Sequence, residues 1–105
     1  MTTFVMISRH SPESCPNFNE KVRKSWIEFY GKSDELLKKY GIKNVGTWIL
    51  GAEHTTLMVM EAPSYEALAK CMMEPAAMAL GASETVELKS ALNLEEVMKM
   101  LQQVK

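Results

Sequence analysis

The chain has 105 residues, a length at which one domain spanning residues 1–105 is expected. Apolar residues make up 47% and charged residues 24%, proportions that are typical of a folded domain and that argue against disorder. Twelve basic residues against thirteen acidic ones give a formal charge of −1. The composition therefore offers no basic excess that would draw the protein to nucleic acid or to a membrane surface, and neither is an expected partner.

The N-terminus lacks the layout of a signal peptide, because no basic stretch precedes the short apolar run at residues 1–7. No segment approaches the ~18 consecutive apolar residues of a membrane-spanning helix. A cytoplasmic location is expected, and thiols stay reduced there. Cys15 and Cys71 are then interpreted as free thiols, buried small residues or metal ligands, ahead of a disulfide.

The first half of the sequence predicts a strand, a loop and a long helix. Residues 3–9 are β-branched and apolar, which is typical of a short strand. Residues 10–16 contain two prolines and form a loop. Asn17 is the expected N-cap of a helix of about six turns, whose apolar residues recur at three- and four-residue steps. Gly31 inside it indicates a kink or a close contact, and Gly41 suits its left-handed end.

The second half predicts a hairpin, two short helices, a strand and a last helix. Residues 44–50 and 54–61 read as strands joined by a tight turn at 51–53. The remaining predicted elements are a helix from its cap Ser64 to Met73, a helical turn at 75–80, a strand at 85–91 and a final helix capped by Asn93.

This order predicts an α+β fold, the ferredoxin-like βαββαβ sandwich with an extra C-terminal helix and a four-stranded antiparallel sheet. Right-handed crossovers place both helices on one face of the sheet. Yet the first strand is apolar on both sides, with Phe4 and Met6 on one and Val5 and Ile7 on the other. The second face needs cover, which the sheet of a second subunit would provide. A homodimer or higher homo-oligomer is expected, although the last helix could cover part of that face instead.

Two segments, GAEHTTLMVMEAPSYEAL at 51–68 and ALNLEEVMKML at 91–101, resemble the GYD-domain family of dimeric α+β barrel proteins. Gly51 matches the start of that family's Gly-x-Tyr-Asp turn, and residues 61–63 match its Glu-Ala-Pro strand end. Glu53 and His54 stand where the family has tyrosine and aspartate. The resemblance implies a dimeric α+β barrel and little about activity. Related barrels include cofactor-free monooxygenases, haem-degrading enzymes and chlorite-dismutase-like proteins, but fold does not fix function.

Four residues with ligand or nucleophile chemistry are brought to one end of the sheet by the predicted topology: His10, Cys15, His54 and Cys71. The two central strands are antiparallel neighbours in this fold. A register in which His10 opposes His54 puts both imidazoles on one face, whereas a slip of one residue would separate them. The placement of Cys71 assumes that its helix runs back to the end of the sheet that holds His10 and His54.

Two imidazoles with one or two thiols suit zinc, copper or iron in an open site, so His10, His54, Cys15 and Cys71 are candidate metal ligands and a transition metal or haem is a candidate cofactor. Alternatively, Cys15 is a nucleophile with His10 as its base, which makes these two the candidate catalytic residues. Plainer interpretations stay open. The histidines can be ordinary loop residues, and Cys71 can be a buried small hydrophobe.

Three bulky residues are candidates for binding a small molecule: Trp26, Trp48 and Met58. A pocket between helix and sheet would be mostly apolar with few polar groups. The alternative is that they belong to the core. The sequence therefore predicts a dimeric barrel that binds a metal, haem or small apolar ligand at its His/Cys end, with oxidoreductase activity as one outcome. A non-catalytic dimerising or regulatory module is the alternative, and whether the protein is an enzyme stays open.

Overall fold

The computed structural model describes residues 1–104, which form a four-stranded antiparallel sheet with helices against one face. The strands are β1 (Thr2–Arg9), β2 (Lys43–Leu50), β3 (Thr55–Ala62) and β4 (Thr85–Ala91), and their order in the sheet is β2-β3-β1-β4. The helices are α1 (Glu20–Lys39), α2 (Tyr65–Met72), α3 (Pro75–Gly81) and α4 (Leu94–Gln102). Element order and strand order together confirm the ferredoxin-like α+β fold.

The helix-facing side of the sheet carries the core. Along the central pair, Phe4 opposes Met60 and Met6 opposes Met58, and all four are buried. They pack with apolar residues of the covering helices, which are Phe29, Leu37, Leu68, Cys71, Ala77 and Leu80. Methionine suits this role because its flexible chain fills irregular space between a sheet and several short helices.

The start of α1 differs from its prediction. Asn19, not Asn17, is the N-cap, and its side chain accepts a hydrogen bond from the Val22 N–H at 3.1 Å. Phe18 lies outside the helix and is largely exposed. The sequence contains two asparagines two positions apart, and both can cap. Asn19 is selected because its amide also donates to the Glu13 carbonyl at 3.0 Å, which ties the cap to the preceding loop.

The end of α1 is as predicted. Gly41 has φ of 72°, and its N–H donates to the Lys38 carbonyl at 3.0 Å. Gly31 lies inside the continuous helix α1, and an added Cβ would meet nothing within 4 Å. Close packing therefore does not explain the glycine at position 31.

The second sheet face and α4 have no cover within residues 1–104. Val5, Ile7, Leu57 and Val59 point to the side away from α1 and are only partly buried. Half of the Trp48 surface on the same face is exposed. No residue of α4 is buried, although its apolar side is long: Leu94, Val97, Met98 and Leu101. Over residues 1–104, no helix is both long and apolar enough to cross a membrane.

Gly31, inside α1, and Gly41, just after its end, allow a matched test of backbone conformation. Gly41→Ala is expected to lower the free energy of unfolding by about 1–2 kcal/mol, since a side chain at this φ is strained and its Cβ would come 3.3 Å from Pro63 Cγ. Gly31→Ala should instead raise it by about 0.5–1 kcal/mol, as expected in an exposed helix interior. Urea unfolding followed by circular dichroism measures both, and equal effects of the two changes would contradict the assignment.

Candidate functional site

The pairing of β1 with β3 brings the two histidines together. Ser8 opposes Thr56 and Arg9 opposes Thr55, so His10 and His54 face each other just beyond the strands. Their backbones continue the ladder, with the His10 N–H donating to the His54 carbonyl at 3.1 Å. The predicted register is confirmed. Both imidazoles consequently sit on the helix-facing side of the sheet, one layer above Ser8 and Thr56.

The two imidazoles are in direct contact. His54 Nδ1 lies 3.3 Å from His10 Nε2, and the ring planes are inclined at 76°. One of these nitrogens must carry the shared proton, since a hydrogen bond needs one donor and one acceptor. Burial lowers the pKa of His10, and the neighbouring His54 lowers it further because two adjacent cations repel. The lowered pKa of His10 favours its neutral imidazole, which is the form that binds metals.

His54 reaches this position through an unusual backbone. It follows the 3₁₀ turn Gly51–Glu53 of the β2–β3 hairpin and adopts a left-handed conformation with φ of 49°. Non-glycine residues seldom occupy this region, and a residue there carries a cost that the surroundings must offset. His54 is the one non-glycine residue with positive φ in the described part of the chain.

Cys15 lies in the loop between β1 and α1. A 3₁₀ turn at Pro12–Ser14 ends at Cys15, whose carbonyl accepts hydrogen bonds from the Phe18 and Asn19 N–H groups at 3.0 and 2.8 Å. Its side chain is turned inward and is 4% exposed. One ligand atom each from His10, Cys15 and His54 lies within 4.8 Å of the other two. The three groups form a compact cluster, here called the His–Cys cluster.

Arg23 holds this loop and was not singled out from the sequence. From the second turn of α1, its Nε donates to the Pro16 carbonyl at 2.9 Å and its terminal nitrogen donates to the Asn17 carbonyl at 3.1 Å. Together with the Asn19–Glu13 bond, these contacts fix the loop at several points. The sequence signal was weak, because a basic residue beside Lys24 reads as part of a solvated helix face.

A cleft of about 700 Å³, counting the part open to solvent, lies beside the His–Cys cluster. Its apolar wall includes Trp26, Ile49 and Leu50, and Arg23 lines its rim. The Trp26 ring meets the His10 ring edge-on, with centroids 6.1 Å apart. Both Trp26 Nε1 and His10 Nδ1 are buried, and neither finds a partner among the described residues. The cleft thus combines apolar surface with unused polar groups.

Cys71 does not reach the His–Cys cluster. α2 has only eight residues, and the chain turns at Glu74-Pro75 before α3 continues towards that end of the sheet. Cys71 therefore remains in the core, and burial raises the pKa of its thiol to about 11, with the Glu74 carboxylate adding to the effect. The expectation that its helix carries it to the His/Cys end was wrong.

Two of the predicted ligand-binding residues lie elsewhere. Trp48 opposes Leu57, so it lies on the uncovered sheet face, with its ring folded over Gly46. It does not face Trp26. Met58 lies on the helix-facing side and lines a second cavity deeper in the protein. Of the three predicted residues, Trp26 alone borders the cleft of the His–Cys cluster.

Comparison with solved structures shows the same fold. A NIPSNAP domain protein from Burkholderia xenovorans matches with a TM-score of 0.56 and 13% identity, covering 89% of this chain and 94% of its own. A dimeric ferredoxin-like protein from an uncultured marine organism matches with a TM-score of 0.54 and 16% identity over 90% and 95% of the two chains. An antibiotic biosynthesis monooxygenase matches with a TM-score of 0.56 and 15% identity over 89% and 100%.

These similarities show that the chain shares the ferredoxin-like fold of these proteins. No family model matches the sequence, and no curated relative was found. At such low identity the shared property is the fold, and activity does not follow from it.

The contact between the histidines predicts a pH effect. Because the pKa of His10 is lowered on folding, the unfolded chain binds more protons below the ordinary value of 6.5. The contribution of His10 to the free energy of unfolding should therefore be fully present above pH 6.5. It should be lost as the pH falls towards the lowered pKa. His54→Asn, which retains a residue that tolerates the left-handed conformation, should raise the pKa of His10 in a proton NMR titration. An unchanged His10 pKa would show that His54 exerts no influence on it.

Proposed function

We propose that the protein binds one transition-metal ion through His10, Cys15 and His54, and that the adjoining cleft admits a small molecule to the ion. The observation behind this proposal is that the three ligand atoms all lie within 4.8 Å of one another. Ligands around a tetrahedral ion with bonds of 2.0–2.3 Å are separated by about 3.5 Å. Small rotations of the side chains would bring the three groups to that spacing.

The donor set indicates which metals suit the site. Two imidazoles and one thiolate favour zinc, copper or iron over magnesium or calcium, which prefer oxygen ligands. Three protein ligands leave a coordination position open, as in catalytic rather than structural zinc sites. The lowered pKa of His10 supports binding, because its imidazole need not lose a proton before it coordinates.

The spacing favours a single ion over haem. The ring nitrogens of His10 and His54 are 3.3 Å apart, so the space between them takes an ion and excludes the plane of a macrocycle. Oxidoreductase activity is one role for such an ion. A redox-inert ion would instead act on a bound water or carbonyl.

A second candidate uses the same residues without metal. Cys15 Sγ lies within 4.8 Å of the histidine nitrogens, a distance from which an imidazole can take the thiol proton after a small rotation. Cys15 would then be the nucleophile and His10 the base. Alkylation of Cys15 that slows when His10 is replaced, with no metal bound, would favour this candidate over the metal site.

We also propose that the uncovered sheet face and α4 pack against a second copy of the chain. The apolar centre of that face is formed by Val5, Ile7, Leu57 and Val59, while the Arg9–Glu87 ion pair of 2.6 Å lies towards its β4 edge. An apolar centre with a polar rim is the layout of protein interfaces. The dimeric ferredoxin-like protein among the structural neighbours supports the same arrangement. A non-catalytic dimerising module stays the alternative if no ligand binds.

Membership of the GYD-domain family is part of the proposal, supported by Gly51 and the Glu61-Ala62-Pro63 strand end. Cytoplasmic location stays a prediction from the sequence. Both are compatible with a reduced Cys15 thiol that is available to a metal.

Cobalt(II) provides a direct test of the metal site, because thiolate coordination produces a charge-transfer absorption. We expect one equivalent to bind the metal-free, reduced protein. Removing a ligand in Cys15→Ser or His10→Ala should weaken binding by more than about 100-fold, the upper range for the loss of an outer-shell partner. Arg23→Ala should weaken it by about tenfold, because the Cys15 loop loses its support.

Cys71→Ala is the matched control, since it removes the other thiol from the core and leaves the His–Cys cluster intact. Its cobalt affinity should equal that of the parent protein. Absence of stoichiometric binding of cobalt, zinc and copper(I), or equal affinity in Cys15→Ser, would contradict the metal proposal. A haem band after reconstitution would contradict the preference for a single ion.

The assembly proposal is tested by placing a charge on the uncovered face. Val59→Glu should convert a dimer to a monomer in sedimentation velocity, because the new carboxylate would be buried without a partner. Lys32→Glu, on the exposed side of α1, should leave the mass unchanged. A parent protein that sediments as a monomer at all concentrations would rule out the dimer.

A further inference from the structure

A second cavity lies deeper between the helices and the sheet, below the His–Cys cluster. It contains about 410 Å³ of free space, part of it open to solvent. Its apolar wall includes Met6, Met58, Met72 and Leu80. The enclosed part is small, and the methionines that line it can adjust their side chains to the shape of a ligand.

One wall of this cavity is polar. Tyr30 from α1, Thr56 from β3 and Glu84 from the α3–β4 connection line it together. Burial raises the pKa of Glu84 to about 7. Glu84 Oε2 is buried and finds no hydrogen-bond partner among the described residues. Leaving such an atom unpaired is costly, so an unpaired carboxyl that lines a cavity indicates a ligand partner.

Tyr30 is the other titratable side chain of this wall. Burial raises its pKa to about 12, and the nearby Glu84 carboxylate contributes to the shift. Its phenol therefore stays a neutral donor. Thr56 lies next to the phenol, and its buried Oγ1 has no well-formed hydrogen bond within residues 1–104. Ser8 completes the polar lining, and no lysine, arginine or histidine of the described residues borders the cavity.

We propose that this cavity is a second binding site, which takes a small single-ring ligand whose carbonyl oxygen accepts hydrogen bonds from Tyr30 and Glu84. A phenol and a protonated carboxyl group are both hydrogen-bond donors, and together they would bind an acceptor oxygen strongly in an apolar surrounding. The apolar wall takes the ring. The site uses none of the proposed metal ligands, so it goes beyond the metal proposal and stands independently of it.

A neutral acceptor fits this wall better than an amine does. A ligand cation would pair with ionised Glu84, but the surrounding methionines and leucine disfavour charge on both partners. With Glu84 protonated, both polar side chains donate, and a carbonyl oxygen has two lone pairs to accept them.

Acetophenone is the probe, with ethylbenzene as the ligand of the same carbon skeleton that lacks the carbonyl oxygen and phenethylamine as the cationic ligand. Binding is measured from amide chemical shifts of Thr56 and Met58 in the full-length protein. Because Glu84 donates only when protonated and its pKa is about 7, the affinity for acetophenone should fall about tenfold between about pH 6 and about pH 8. Ethylbenzene should bind more weakly and without this pH dependence.

Glu84→Gln retains a donor without a titration, so acetophenone should bind it with a constant affinity across the same pH range. Tyr30→Phe should lower the affinity about fivefold, the effect of one hydrogen bond. His10→Ala should leave it unchanged, which separates this site from the metal site. Circular dichroism verifies that each variant is folded. No binding of acetophenone, equal binding of ethylbenzene, or preferred binding of phenethylamine that strengthens with pH would overturn the proposal.

Discussion

The antiparallel pairing of β1 with β3 positions both the His–Cys cluster and the core of this protein. Successive pairs on the helix-facing side form layers: His10 with His54, Ser8 with Thr56, Met6 with Met58, and Phe4 with Met60. Polarity decreases from the first layer to the last. A slip of one residue would exchange the two faces and would break up the His–Cys cluster and the core together. The same contacts that stabilise the fold therefore position its chemistry.

α1 supplies the opposite wall of these layers. Its first two turns hold the Cys15 loop through Asn19 and Arg23, and its middle places Trp26 and Tyr30 side by side, with ring centroids 5.1 Å apart. Near its end, Lys39 and the Tyr40 hydroxyl both bind the Glu74 carboxylate at 2.8 Å, which lowers the pKa of that carboxyl group. This contact ties α1 to the junction between α2 and α3. One helix thus links the loop, both cavities and the covering helices.

Much of this arrangement could be predicted from the sequence, because local signals and long-range pairing agree. Alternating apolar residues, the turn at 51–53 and the left-handed Gly41 determine the elements. The position of His10 opposite His54 follows from the register that matches the apolar residues of β1 with those of β3. The hairpin turn also fixes Trp48 opposite Leu57, and following that register would have placed Trp48 on the uncovered face.

The remaining features depend on packing that no short pattern encodes. The path of the chain after Met72 depends on how α2 and α3 pack. Because α2 ends there, Cys71 stays in the core. Glu20 in the capping-box position favours Asn17 in the sequence, whereas Asn19 is the cap because its amide also donates to the loop carbonyl of Glu13. Glu84 belongs to no motif. Its significance arises only when α3 and β4 enclose it beside Tyr30.

The exposure of α4 has a consequence for how the protein folds. This helix has nine residues, begins with an Asn93 cap and makes at most marginal contact with the elements before it. Isolated helices of this length are marginally stable in water, because nucleation is unfavourable and few hydrogen bonds follow. Its helical state must then be stabilised by whatever covers its apolar side. In the proposed dimer, ordering of α4 and assembly would be a single coupled event, so the helix content of the protein would depend on protein concentration.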